Sequence, residues 1–165
     1  MLASYKEKKF WIVSGLIIIL DGLITYYIPS YFNNLNYLYP MLTISLIPFI
    51  LKNNLKDYYK IVFILGIIYD IFYSNIFLLN ALVFLIIGRI DIKVLKLVKE
   101  NIIIYLCLVI LNIMIYDGIM FSLIYLTNYE SITLYGYFYK VKNSIILNII
   151  FGSLCYFIKK KKTNI

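Results

Sequence analysis

The chain has 165 residues, 63% of them hydrophobic, with 16 Lys and Arg against 8 Asp and Glu and no histidine. So apolar a chain lacks the polar surface to cover a soluble globule, and it is read as a single transmembrane domain over residues 1–165. The net charge of +8 would point to nucleic acid in a soluble protein. Here the basic residues fall between apolar runs, a topological pattern that implies a bilayer and anionic lipid, and no nucleic acid.

In chain order the apolar runs cover about 10–29, 35–51, 59–73, 76–90, 102–126 and 141–158. The first follows the basic stretch "YKEKKF". It is too long for the apolar part of a signal peptide and is followed by bulky residues rather than a small-residue cleavage site, so it reads as a retained helix. The third and fourth runs meet at Ser74-Asn75 and would also fit one long tilted helix. Charge separates them. With six spans, every basic residue except Lys140 and Lys142 falls on one side; merging the two would move Arg89, Lys93, Lys96, Lys99 and the "KKKK" tail across the membrane. The expected fold is therefore all-α: a polytopic membrane protein of six short transmembrane helices with both termini cytoplasmic. Lys140 and Lys142 are expected to snorkel to the outer interface, beside a Tyr-rich external loop, "TNYESITLYGYFYK", read as an aromatic belt.

The missing residue types narrow the function. Without histidine there is no Ser-His-Asp arrangement and no imidazole ligand. Cys107 and Cys155 do not form a CxxC pair and read as small packing residues. No phosphate-binding glycine loop is present, nor paired carboxylates at helical spacing to hold a metal. No enzyme, cofactor or metal site is predicted.

Three acids fall within the spans: Asp21, Asp70 and Asp117. A carboxyl there is costly, so it faces the protein interior, a water cavity or a partner. Asp21 and Asp70 are placed near mid-depth, about 15 Å from their cytoplasmic ends, and Asp117 nearer the outer surface. One reading is a proton relay or binding site. The other is a set of hydrogen-bonded locks, with Thr25 and Ser14 sharing the face of Asp21, and Tyr73 and Ser74 beside Asp70. On the lock reading Asp70→Asn should keep most of the function, because an amide still donates and accepts. Gly66 lies one turn before Asp70 on the same face, and Gly118 with Ser122 forms a small-xxx-small step; both would let a second helix approach closely, within the fold or from a partner.

Together these features resemble the MreD family of bacterial rod-shape membrane proteins. The likeness rests on length, six spans, basic cytoplasmic loops and the block "LGIIYDIFYSNIFLLNALVFLIIG" at 65–88, where Gly66, Asp70 and Gly88 match the family's Leu-Gly, Asp and closing Gly. The glycine common in that family's turn after the Asp is absent, with Ser74-Asn75 in its place. The resemblance implies a non-enzymatic scaffold in the bacterial cytoplasmic membrane. It would act in cell elongation and peptidoglycan synthesis with an MreC-like bitopic protein, an MreB-like filament and wall-synthesis enzymes. The alternative is a substrate-binding S component of an energy-coupling-factor vitamin transporter, which shares this architecture. The alanine-rich first span of those proteins is missing here, where Ala3 and Ala81 are the only alanines. A proton-coupled carrier built on the three Asp residues is a third class, without the internal repeats and broken helices it would need.

Overall fold

In a computed structural model, residues 8–31, 41–51, 57–74, 76–98, 101–127 and 133–163 are described. Among them the regular structure is entirely helical: α1 (Lys8–Tyr31), α2 (Leu42–Leu51), α3 (Tyr58–Tyr73), α4 (Leu79–Leu97), α5 (Ile102–Thr127) and α6 (Leu134–Thr163). Three segments are long and apolar enough to cross a bilayer: Phe10–Tyr27, Ile102–Thr127 and Leu134–Ile158.

The distribution of side chains is that of a protein dissolved in lipid. Large apolar groups such as Ile12, Leu16, Ile71, Leu126 and Phe157 stand exposed. Asp21, Asp70, Asn80, Asp91, Asn112, Asp117 and Asn148 are buried. Hydrocarbon outside removes the reason to hide apolar surface and makes every polar group seek a partner within.

The helix α2 sits at the centre. It is apolar apart from Thr43 and Ser45, all its residues from Leu42 to Ile50 are buried, and it touches each of the other five helices. A helix this apolar is the kind that can be enclosed. At ten residues it is about 15 Å long, half the thickness of a hydrocarbon core. It begins at Leu42, later than the span predicted from residue 35; residues 35–40 lie outside the described set. Pro48 stands inside it and leaves the Ile44 carbonyl without its usual i+4 donor.

Around this centre, α3 packs along α4 and α5 along α6. Gly66 fixes the first contact. A Cβ built there would overlap the Ala81 Cα and stand 2.7 Å from the Ala81 nitrogen, so the two backbones meet where no larger side chain fits. Gly88 makes room in the same way for the ring of Tyr58, whose Cε1 would lie 2.9 Å from an added Cβ.

Two boundaries differ from the sequence reading. The helix α4 runs on through Arg89 and Asp91 to Leu97 rather than stopping at Ile90, which carries Asp91 into the packed interior. The helix α6 begins at Leu134, inside the stretch read as an external loop. Thr133 explains the early start: its hydroxyl accepts the Gly136 N–H at 3.2 Å, capping one of the free donors of the first turn.

Candidate functional site

The buried acids act on the helices that follow them. Asp70 lies near the end of α3, and its Oδ1 accepts the Asn80 backbone N–H at 3.0 Å and the Asn80 side-chain amide at 2.8 Å. Its Oδ2 accepts the Ala81 N–H at 3.2 Å. Those two N–H groups belong to the first turn of α4, where no intrahelical acceptor exists. Leu78, just before that turn, has φ 68° and caps nothing with its side chain. The left-handed turn at Leu78 aims the start of α4 at the carboxylate, and Asp70 supplies from a neighbouring helix the cap that the local sequence lacks.

Asp21 repeats the arrangement one helix pair earlier. Its Oδ2 accepts the Thr43 backbone N–H at 3.1 Å and the Thr43 hydroxyl at 2.9 Å, in the first turn of α2. Met41, just before α2, has φ 39°; it and Leu78 are the two non-glycine residues with positive φ among those described. Asp117 follows the same direction of reach by a different chemistry. It meets Lys140 of α6 in an ion pair of 3.0 Å, with the carboxylate enclosed and the lysine partly exposed. In each pair an aspartate on the odd-numbered helix holds the even-numbered one.

The three ties converge. Counted from the observed helix starts, Asp21 is 13 residues past Lys8, Asp70 is 12 past Tyr58 and Asp117 is 15 past Ile102, or about 20, 18 and 22 Å along their axes. Tyr116 lies within Coulombic range of all three carboxylates. Its hydroxyl donates to Asn80 Oδ1 at 2.6 Å, extending the Asp70–Asn80 link from α4 to α5. Tyr69 sits within range of Asp21, Asp117, Tyr73 and Tyr116. The Tyr73 hydroxyl crosses to α1, donating to the Ile18 carbonyl at 2.6 Å over Gly22, where any Cβ would collide with the phenol.

The hydroxyls expected to serve the acids do other work. Thr25 donates to the backbone carbonyl of Asp21 at 2.7 Å, not to its carboxylate. Ser74 gives its backbone N–H to the Asp70 carbonyl, and its hydroxyl donates to Ile76. A hydroxyl four residues on reaches the i−4 carbonyl more readily than a side chain pointing away from the helix. Ser122 does the same, bonding the Gly118 carbonyl at 2.8 Å on an exposed face. At Gly118 an added Cβ would meet only the Tyr137 hydroxyl, at 3.7 Å, so this small-residue step brings no second backbone close. Lys140 turns inward to Asp117 instead of snorkelling; Lys142 is exposed. Cys155 is buried, whereas Cys107 is exposed.

Two further polar layers had no counterpart in the sequence reading. Ser45 of α2 donates to Asn148 Oδ1 of α6, and its carbonyl accepts the Tyr105 hydroxyl of α5 at 3.2 Å. Asp91 of α4 accepts the Asn112 amide of α5 at 3.0 Å. The sequence signal for the second was an acid one turn after Gly88, hidden by a span boundary drawn one residue too early.

Chemically, the site around Tyr116 is a set of carboxylates occupied by donors from adjacent helices. Among the described residues, no three His, Cys, Asp or Glu side chains stand close enough to hold one metal ion. Comparison with models of known protein families, with characterised proteins and with solved structures finds no match for this chain.

Proposed function

We propose that this chain is a non-enzymatic scaffold of the bacterial cell-elongation machinery, set in the cytoplasmic membrane by six spans with both termini inside. The observation that carries the reading is where the residues of the family resemblance lie. Gly66, Asp70 and Gly88 all belong to the α3–α4 contact, as the close approach at Ala81, the cap on α4 and the seat of Tyr58. A signature made of packing and capping residues is what a scaffold would carry, since its task is to hold helices at fixed angles.

The acids favour the same reading over a relay. A proton path needs carboxyls free to change partners, and Asp70 is held by three donors at once. The topology is supported by charge: Lys60, Lys93 and Lys96 lie at the helix ends that six spans would put in the cytoplasm. The partners are an MreC-like bitopic protein, an MreB-like filament and the wall-synthesis enzymes. They would be met through helix faces and short connections.

Depletion in a rod-shaped host tests this. Cells should round or widen before growth stops, and affinity purification should recover the bitopic partner. Rods of unchanged width, with a co-purifying ATPase pair and loss of uptake of one vitamin, would replace the scaffold by the transporter S component.

A further inference from the structure

The second polar layer leaves three oxygens without a partner. Tyr58, Asp91 and Asn112 come from α3, α4 and α5, and each is 0% exposed. The Asn112 amide nitrogen is engaged with Asp91 Oδ2, yet Asp91 Oδ1, Asn112 Oδ1 and the Tyr58 hydroxyl find no hydrogen bond. They belong to one place. The amide that binds Asp91 carries its own oxygen beside that carboxylate. The phenol of Tyr58 lies against Gly88, with its oxygen 3.3 Å from where a Cβ would stand, one helical turn before Asp91 on the same face. Tyr58 is within Coulombic range of Asp91.

The charge is unbalanced as well. Among the described residues, no Lys or Arg forms an ion pair with Asp91: Arg89, Lys93 and Lys96 are exposed on its own helix, and Lys60 of α3 points outward to Asp57 at 3.9 Å. An enclosed carboxylate with no counter-charge is strongly disfavoured, and the donor that reaches it here is the neutral Asn112 amide, which leaves the Asn112 and Tyr58 oxygens beside it unused. What such a set lacks is a small positive charge that takes oxygen ligands.

We propose that Tyr58, Asp91 and Asn112 form a buried binding site for a monovalent metal cation of sodium size, seated between α3, α4 and α5. The carboxylate supplies the charge and two neutral oxygens complete the protein's share of the coordination; hard cations take such oxygen donors. The site is separate from the Asp21–Asp70–Asp117 layer, and it stands or falls independently of the scaffold assignment.

The test is thermal unfolding of the full-length protein in a neutral detergent, titrated with sodium chloride against equimolar N-methyl-D-glucamine chloride. Sodium should raise the melting temperature saturably above the organic cation. Asp91→Asn should abolish that difference. Tyr58→Phe, which keeps the ring on Gly88, should raise the half-saturating sodium concentration roughly tenfold, the effect of one lost ligand oxygen. Equal melting curves in the two salts for the unaltered protein would overturn the proposal and leave a proton or a water as the occupant. So would a sodium effect of the same size in both variants. Should Asp91→Asn fail to fold, the salt comparison on the unaltered protein and on Tyr58→Phe decides alone.

Discussion

Replacing Asp70 by leucine removes the acceptor for three buried donors: the Asn80 N–H, the Asn80 amide and the Ala81 N–H. The two backbone groups lie in the first turn of α4 and have no acceptor of their own to fall back on. Side-chain ties inside membranes average about 0.6 kcal/mol, and an unmatched buried donor costs about 1–3 kcal/mol. Three bonds therefore bracket the loss between about 2 and 9 kcal/mol. Asparagine at the same place should not be neutral, which revises the expectation formed from sequence. Every contact to Asp70 is a donor, so the amide oxygen can replace Oδ1, while the amide nitrogen must face the Ala81 N–H, donor against donor. A loss of about 1–2 kcal/mol is expected for Asp70→Asn, between wild type and Asp70→Leu. Unfolding in mixed micelles, followed by loss of helicity as SDS increases, measures all three. Phe72→Leu, on the exposed face two residues away, serves as control. An Asp70→Leu protein as stable as that control would refute the cap, and equal stability of Asp70→Asn and wild type would refute the all-donor environment.

Gly66→Ala should destabilise by about 1–3 kcal/mol in the same assay, since the colliding atoms are Ala81 backbone and cannot rotate away. Gly15→Ala, with nothing within 4 Å of the new Cβ, should be neutral or gain up to about 1 kcal/mol of helix propensity. Lys140→Met should lower abundance more than Lys142→Met, because only the first strips an enclosed carboxylate of its counter-charge. For topology, a single cysteine at position 96 should resist a membrane-impermeant thiol reagent on intact cells while one at 135 reacts; the reverse pattern would invert the assignment.

Much of the helical framework could be read from the sequence because hydropathy and loop charge are local quantities. The six apolar runs each overlap a helix among the described residues, and Gly66 and Asp70 stood out as small and acidic in an apolar stretch. What could not be read were the partners. Thr43, Asn80 and Lys140 reach their acids across helix pairs, and nothing in the spacing of a single helix announces a donor on the next. The nearby hydroxyls at Thr25 and Ser74 were more visible and less relevant: the helix offers Thr25 the Asp21 carbonyl, and Ser74 turns to the Ile76 carbonyl beyond the helix end. Asp91 was lost for a different reason. It lies between Arg89 and Lys93, and a basic cluster looks like a loop until the helix is seen to carry both exposed cations on one side and the acid on the other.

The forward reach of each aspartate also sets an order on biogenesis. Asp21 leaves the ribosome 22 residues ahead of Thr43, and Asp70 10 residues ahead of Asn80. Each acid therefore enters the insertion machinery before the donor that will satisfy it, and is released from an exposed polar state when the following helix arrives. Hairpins α1–α2, α3–α4 and α5–α6 can close in turn, each completing its own polar contact. A truncation after α1 or α3 would strand an uncapped carboxylate, the kind of defect by which membrane quality control can recognise an unfinished chain.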